Sequence, residues 1–345
     1  MRSKKIIYTL LVVMLVVLAS PQIFAGDSDR LGTASGYQTL VPVGPRDLAM
    51  GGANLAYTSG VEAIFWNPAG VSNLGYKASA LASTMSIFNT INVNYLALGF
   101  NVGNIGNLAF SVKSFDFGDI PLTTEEDMNG VSGRTFSPSF MTIGLTYAKQ
   151  LTNSIGFGIT TKLITESVPR ASASAVAFDL GIQYKGLGGI EGVAFGIAVK
   201  NIGTNLQYGG SAFLQMADED GSTYEDYRNR ETASADLPAT VEFGLGYTKN
   251  VMEDAEVTFS SVFMNHNYGY DQVKLGGEYL YNDMIALRAG YVNSIDMPSD
   301  AKIHSFSIGA GFNYKVGTTT IGVDYVFRPA EYFDAENMFA LRVGF

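Results

Sequence analysis

Apolar residues alternate with small or polar residues along almost the whole chain, and this period of two constrains the fold more than any other feature. The alternation is clearest in the last ten residues, where Phe339, Leu341, Val343 and Phe345 share one parity. Successive side chains of a β-strand point to opposite faces of the sheet, so this segment predicts a strand with one apolar face. An apolar face towards lipid and a polar face towards the lumen are typical of a transmembrane β-barrel.

About fourteen segments show this alternation, and each has roughly the ten residues that a tilted membrane strand needs. They are residues 76–87, 90–101, 104–116, 138–150, 153–166, 172–186, 192–203, 237–250, 253–265, 270–282, 284–294, 303–316, 318–329 and 336–345. After residue 25 no apolar stretch is long enough for a membrane helix, and only helices and closed barrels satisfy their backbone hydrogen bonds within lipid. We therefore predict an all-β fold, a transmembrane antiparallel β-barrel over residues 76–345, with a soluble β-sandwich as the alternative.

The lengths of the connections predict the orientation of the barrel. Three connections are long, at residues 117–137, 204–236 and 295–302, and each follows an odd-numbered strand. The connections after even-numbered strands are short. Bacterial barrels have short periplasmic turns and longer external loops, so we expect both ends of the barrel chain on the periplasmic side.

The first 25 residues have the organisation of a secretory signal peptide. Three basic residues precede an apolar run at 6–19, which is short for a membrane helix, and Pro21 interrupts it. Ala25 offers a cleavage site, so we predict removal of residues 1–25, with an uncleaved anchor helix as the alternative. Export combined with a barrel predicts the cell outer membrane of a diderm bacterium.

The charge balance excludes one class of partner. Loss of Arg2, Lys4 and Lys5 with the signal takes the net charge from −10 to −13. Nucleic acid needs a basic face for its phosphates, so it is excluded. The expected partners are outer-membrane lipid and the barrel assembly machinery, for which the aromatic strand ending at Phe345 is the expected assembly signal. The chain has no cysteine, so strand pairing and packing must stabilise it.

Residues 26–75 do not alternate. They are rich in glycine and small residues, with Pro42, Pro45 and Pro68 as breakers. A barrel of about fourteen strands has a lumen too wide for wall side chains alone to fill. We therefore predict that residues 26–75 form a plug on the periplasmic side of the lumen.

Two short motifs in this segment resemble a known family. Residues 43–53 contain Ala-Met-Gly-Gly, and residues 62–70 contain Trp-Asn-Pro-Ala-Gly. Together they resemble the amino-terminal signature of the PorV/PorQ outer-membrane proteins, which are similar in turn to the FadL-type transporters. The resemblance implies a fourteen-stranded barrel with an amino-terminal hatch. The motif residues are Ala49, Met50, Gly51, Gly52, Trp66, Asn67, Pro68, Ala69 and Gly70.

The motif residues also have structural interpretations. Asn67 before Pro68 predicts a helix N-cap followed by proline at the first helical position. The pair Gly51 and Gly52 predicts a bend with a close backbone approach. Trp66 is the only tryptophan, and we expect it to pack the plug against the wall rather than to contact a ligand. These interpretations assign the motif to plug architecture rather than to chemistry.

Charged residues on the inward parity are expected to face the lumen, because a basic residue on the lipid face costs about 2–4 kcal/mol near the bilayer midplane. We expect these charges to pair across the lumen or with the plug, and their pattern does not decide the function. They are Lys162, Asp179, Lys200, Glu242, Lys274, Glu278, Arg288, Asp324 and Arg342.

No catalytic arrangement is recognisable in the sequence. It has no nucleophile elbow, no His-Glu-x-x-His motif and no phosphate-binding loop. The two histidines, His266 and His304, lie near predicted strand ends, where we expect them at the membrane interface. We therefore predict a protein that is not an enzyme and has no cofactor or metal site, with weak divalent-ion binding at the acidic loop 204–236 as the alternative.

Two functions from different classes remain open. Resemblance to PorV implies a barrel that receives exported cargo proteins of the type IX pathway and passes them to the attachment machinery. Resemblance to FadL implies an uptake channel for hydrophobic small-molecule ligands. Residues 43–70 are closer to the PorV/PorQ pattern, which favours secretion. A continuous apolar tunnel to a wall opening would favour uptake, a lumen sealed by charge pairs would oppose it, and a structural barrel without transport is a third interpretation.

Overall fold

The structure is a computed structural model that describes residues 30–218 and 225–345, so the predicted signal peptide lies outside the described residues. In the described part, fourteen antiparallel strands pair in sequence order and close a barrel. They are β1 Ala78–Ile87, β2 Ile91–Asn101, β3 Asn107–Asp116, β4 Ser139–Gln150, β5 Ile155–Val168, β6 Ala171–Lys185, β7 Val193–Gly203, β8 Thr240–Met252, β9 Ala255–His266, β10 Gln272–Tyr281, β11 Ile285–Ser294, β12 Phe306–Val316, β13 Thr319–Arg328 and β14 Glu336–Gly344. The predicted strand count is confirmed, and each predicted end lies within three residues of the observed one.

Pairing of the first and last strands closes the barrel. The register of β1 and β14 runs from Ser79 opposite Gly344 to Met85 opposite Met338. The terminal residue extends this pairing, because the backbone N–H of Phe345 donates to the carbonyl of Ala78 at 2.9 Å. The carboxyl-terminal strand is therefore the closing strand of the wall.

The outer face of the wall is apolar and exposed, as the alternation predicts. Large apolar side chains on this face have a substantial part of their surface uncovered, which a soluble sandwich would bury between two sheets. They include Leu96, Phe110, Leu145, Phe178, Phe243, Phe259, Leu287, Ile308, Phe312, Val323, Phe339, Leu341 and Phe345. Lipid is the solvent that such a closed apolar surface requires, so the fold is a transmembrane barrel.

A search of the described residues for a helix long and apolar enough to cross a bilayer finds none.

The two rims of the barrel differ in the length of their connections. One rim, the long-loop end, carries the connections at residues 117–138, 204–239 and 295–305, which hold short two-stranded sheets or a 3₁₀ turn. The other rim, the short-turn end, carries tight connections such as the one between β12 and β13. The difference in connection length is as predicted, and the orientation of the barrel in the membrane stays a prediction.

The segment before β1 fills the lumen in two parts. Residues 44–75, the plug, contain α1 (Pro45–Ala49), α2 (Ala63–Trp66) and two 3₁₀ turns. The inner faces of the strands surround the plug. Residues 30–43, the strap, run from the long-loop end to the plug, and the backbone N–H of Ser35 donates to the carbonyl of a loop residue there, Asp236, at 2.9 Å.

The predicted position of the plug is therefore wrong in part. The sequence places residues 26–75 on the periplasmic side, whereas the strap reaches the opposite rim, where Arg30 stacks on Tyr268 at 4.0 Å from the ring centroid. The reason is that a segment without a periodic pattern carries no signal of its depth in the lumen. Polar contacts with two loops of the long-loop end fix that depth.

Glycines on the inner face let the plug backbone touch the wall. A Cβ atom on Gly290 would lie 2.0 Å from the backbone nitrogen of Gly51, and one on Gly158 would lie 2.2 Å from the carbonyl oxygen of Pro68. Only glycine permits such approaches. The same close packing recurs around the wall at Gly181, Gly196, Gly244, Gly276 and Gly309.

Candidate functional site

The family motif lies in the packed interior of the plug. Ala49, Met50 and Ala69 are fully buried. Gly51 and Gly52 both have a left-handed backbone, with φ of 67° and 72°, so the predicted bend is present where the plug meets β11. The motif therefore builds the shape of the plug.

Asn67 ties three segments together. Its side-chain oxygen accepts from the N–H of Ala69 at 3.1 Å, which is the N-cap of the 3₁₀ turn that begins at Pro68. Its amide nitrogen donates to the carbonyl of Leu55 at 3.0 Å within the plug and to that of Ile182 at 3.2 Å on β6. Gly70 packs against the backbone of Thr58, where an added Cβ atom would lie 2.2 Å from the carbonyl oxygen.

Trp66 packs the plug against the wall and also faces a cavity. Its indole nitrogen donates to the carbonyl of Val43 at 2.9 Å, and its ring meets Phe65 edge to face at 5.0 Å. It belongs to an apolar cluster with wall residues such as Met85 and Val93. One side of the ring nevertheless lines the cavity above the plug.

That cavity has a volume of about 330 Å³ and lies in the long-loop half of the lumen. The plug forms its floor through Phe65 and Trp66, and the strap covers one side through Leu40 and Pro42. Further apolar lining comes from Leu48, Ile64, Met264, Val292, Met297 and Ile303. The last two residues belong to the loop between β11 and β12, so the cavity reaches the long-loop rim.

Four lysines converge on the wall of this cavity, from β3, β5, β7 and β10. The Nζ of Lys200 lies 2.5 Å from Glu242, and the Nζ of Lys274 lies 3.9 Å from the same carboxylate. Lys162 pairs with Asp179 at 2.7 Å. The fourth is Lys113, and we call Lys113, Lys162, Lys200 and Lys274 the lysine cluster.

A β-bulge places Asp179 in this cluster. The register of β6 and β7 shifts between Phe178 and Leu180, opposite Asn201, which has a left-handed backbone with φ of 60°. The N–H of Asn201 donates to the Asp179 carboxylate at 2.8 Å, and the Asn201 side-chain oxygen accepts from Lys162. The bulge thus fixes a carboxylate between two donors.

Lys113 was not among the predicted lumen charges. It is only 4% exposed, and its Nζ donates to the carbonyl of Val41 at 2.8 Å in the strap. Among the described residues it has no ion-pair partner, and its ammonium lies 4.9 Å from the centroid of Phe65. The alternation of β3 does carry the signal, because Lys113 shares the inward parity of Ala109 and Ser111.

A second charge network lies nearer the short-turn end. Arg288 contacts Glu278 at 2.5 Å and Asp324 at 2.7 Å, and Arg342 contacts Asp324 at 2.7 Å. Arg46 of the plug joins through Glu278 at 3.0 Å. The predicted lumen charges thus divide into two groups: Asp179 and Lys274 line the cavity, whereas Glu278 and Arg288 anchor the plug.

Two buried carboxyl groups lie inside the plug. Asp47 accepts from Asn54 at 2.6 Å and from Thr58, and its N–H donates to Glu62 at 3.1 Å. Burial raises the pKa of Glu62 to about 8, and the nearby charge of Asp47 adds to the rise. Burial also raises the pKa of Asp47. The sequence around Asp47 and Glu62 does not alternate, so it gives no sign that these two carboxyl groups are buried.

The histidines differ from the expectation of two interface residues. His266 is buried, and its Nδ1 accepts from the N–H of Tyr268 at 3.2 Å. His304 lies 3.3 Å from Glu336. Both line the cavity. Within residues 30–218 and 225–345, no group of three or more histidine and carboxylate side chains could hold a metal ion.

No known family profile matches the chain, and no curated protein matches its sequence. Solved structures do share its architecture. The toluene transporter TbuX of Ralstonia pickettii superposes with a TM-score of 0.53 at 12% identity, over 88% of this chain and 98% of that one. The chain shares the fold of this transporter.

Two further structures support that conclusion. The CymD monoaromatic hydrocarbon channel has a TM-score of 0.51 at 15% identity, over 88% of this chain and 97% of that one. A FadL homologue of Pseudomonas aeruginosa has a TM-score of 0.51 at 10% identity, over 87% and 97%. At these identities the likeness establishes the fold, and the PorV/PorQ resemblance rests on the motif alone.

Proposed function

We propose that this protein is an outer-membrane channel for the uptake of hydrophobic small molecules. The observation that carries the proposal is the cavity of about 330 Å³ above Phe65 and Trp66, at the long-loop end of a FadL-type barrel. Long loops of bacterial barrels face outwards, so the cavity receives molecules from the external medium.

The size and lining of the cavity suit a small ligand. An apolar cavity of about 150 Å³ is enough to bind one benzene molecule. The present cavity has roughly twice that volume, and aromatic and aliphatic side chains of the plug and strap form a large part of its lining. A few polar groups on an otherwise apolar surface are typical of ligand sites.

Passage through the barrel requires movement of the plug. The plug and the Arg288 network occupy the lumen between the cavity and the short-turn end. Among the described strands, pairing continues around the whole wall. The structure is therefore a closed state, and we propose that a ligand leaves the cavity when the plug shifts. In the described residues, ion pairs of Arg288 seal the lumen below the cavity, and this seal counts against uptake as long as the plug stays in place.

The secretion hypothesis receives less support from the site. The motif that resembles PorV/PorQ is buried, with Met50, Asn67 and Ala69 packed in the plug, so it offers no surface to a cargo protein. Because the motif shapes the plug, an uptake barrel and a secretion barrel could both contain it. We therefore place uptake first and protein export second.

Trp66 supplies the test, because it is the only tryptophan and it lines the cavity. We expect nitrobenzene, a neutral quencher, to reduce its fluorescence saturably in the purified full-length protein. Thr142→Phe fills part of the cavity, and the Thr142 hydroxyl has no hydrogen-bond partner among the described residues. This variant should weaken quenching about tenfold and slow toluene uptake by cells that express the channel.

Leu145→Phe is the matched control, since Leu145 lies on the same strand and faces lipid. It should bind nitrobenzene as the parent does. Unsaturable quenching that is equal in all three proteins would overturn the proposal. Exported proteins that co-purify with the native barrel, together with absent uptake, would favour secretion instead.

A further inference from the structure

The charge of the cavity is opposite to that of the protein. The chain carries a net charge of −10, yet the lysine cluster brings four amino groups together against the carboxylates of Asp179 and Glu242. Lys200 and Lys274 share one carboxylate, and Lys162 takes the other. The cluster therefore has two more amino groups than carboxylates.

Protonating all of these amino groups away from bulk water is costly unless an anion balances the positive charge. The groups that contact Lys113 are carbonyl oxygens and the ring of Phe65, and none of them is an anion. Among the described residues at the mouth, Lys302 bonds Asn293 and Arg328 is paired with Glu336. The described lining contains no carboxylate besides Asp179 and Glu242. The lysines of the cavity therefore favour the binding of an anionic ligand.

The cationic and aromatic groups of the cavity are adjacent. The Nζ of Lys200 lies 5.1 Å from the centroid of Phe65 and 5.9 Å from that of Trp66, and Lys113 lies 4.9 Å from Phe65. A molecule that places a ring on this floor would bring a substituent of the ring towards the ammonium groups. Rings pack favourably against rings in stacked or edge-to-face geometry.

We infer that the cavity selects small aromatic anions, such as aryl carboxylates, over neutral aromatic molecules of the same shape. This inference rests on the proposed function and specifies its substrate class. The volume of about 330 Å³ accommodates a substituted ring. The anionic group would lie between Lys200, Lys274 and Lys113.

A matched pair of quenchers tests this. Nitrobenzene and 4-nitrobenzoate differ by one carboxylate, which is ionised at pH 7, and both quench tryptophan. In the purified full-length protein, 4-nitrobenzoate should quench Trp66 with a Kd at least tenfold below that of nitrobenzene. The ratio of the two Kd values is the readout, because a purely structural disturbance would weaken both probes together.

Lys274→Met is the main variant, since Glu242 keeps its contact with Lys200 and the new side chain would lie beside Met264. Lys113→Met is the second variant. Each should lower the preference for the anion about three- to tenfold while nitrobenzene binds as before. Lys315→Met, on the exposed end of β12, is the control and should change neither Kd.

The outcomes separate the two proposals. If neither probe quenches saturably, the proposed uptake site fails. If nitrobenzene binds but 4-nitrobenzoate binds no more tightly, or if both lysine variants keep the full preference, the inference about anions is overturned and the uptake site stands.

Discussion

Asn67 shows how strongly the plug depends on single side chains. The Asn-Pro pair in the sequence predicts the N-cap, and the structure contains it. The bonds from the same amide group to Leu55 and Ile182 could not be predicted, because they depend on how the plug folds back and on which strand it meets. The local N-cap can thus be predicted from the sequence, whereas the tertiary hydrogen bonds of the same side chain cannot.

Asn67→Ala should lower the free energy of unfolding by about 3 kcal/mol, since it removes a cap and leaves buried backbone groups with fewer partners. Urea unfolding in lipid vesicles would measure the change. Asn73→Ala, on an exposed residue six positions later, should change stability by less than about 0.5 kcal/mol. Equal losses in the two variants would contradict this assignment.

Glu62 should make the plug sensitive to pH. Its pKa is raised to about 8 in the folded state, mainly by burial. The folded protein therefore holds a proton that the unfolded chain releases, so the unfolding free energy falls as pH rises from about 5 to 8. The loss approaches about 1.4 kcal/mol per pH unit at its steepest.

Glu62→Gln should remove this part of the pH dependence, because the amide stays neutral and its oxygen can still accept from Asp47. Thermal unfolding between pH 5 and 8.5 would show the variant gaining on the parent as pH rises. Glu331→Gln, on an exposed glutamate, is the control and should follow the parent curve. A constant offset between Glu62→Gln and the parent across this range would refute the prediction.

At the scale of elements, the strands were predictable because each one has a lipid face and a lumen face, and a period of two records that difference. The contacts of the lysine cluster were not. Lys274 and Glu242 lie on strands that are not neighbours, β10 and β8, so their contact requires the curvature of the closed wall. Lys113 lies on the inward parity of β3, so its direction could be predicted. Its hydrogen bond to the strap could not, because the sequence of the strap does not alternate and gives no sign of its path.

The contact between β11 and the plug provides an element-scale prediction. Gly290→Ala would force a methyl group against the backbone of Met50 and Gly51, at 2.2 Å and 2.0 Å, and neither can move without shifting the plug. We expect a loss of about 3 kcal/mol and faster hydrogen exchange over residues 44–60. Exchange mass spectrometry with intact vesicles would report it.

Gly277→Ala is a close control, since Gly277 lies in the adjacent strand β10 and its nearest neighbours would be 3.8 Å from the added carbon atom. It should leave exchange in the plug unchanged. If residues 44–60 stay protected from hydrogen exchange in Gly290→Ala, packing against β11 does not stabilise the plug.

For the whole molecule, the decisive property is that lipid covers the outer face. Val323 lies in the middle of β13 and is 49% exposed, and Val316 lies at the end of β12 and is 56% exposed. In water a lysine would be tolerated at either position. In a membrane, Val323→Lys should cost about 2–4 kcal/mol and Val316→Lys at most about 1 kcal/mol.

Reversible urea unfolding in vesicles of both variants would measure this difference. Equal, small effects at the two positions would mean that water and not hydrocarbon surrounds the wall. The comparison is internal, because both positions start as exposed valines on the same outward parity.

The strap and plug run along the barrel axis from one rim to the other, and the wall that encircles them closes only when β14 pairs with β1. Folding therefore has an order imposed by geometry. The strap and plug must already lie within the curved sheet when β14 pairs with β1. A barrel that closed before they entered would leave the strap and plug outside the lumen.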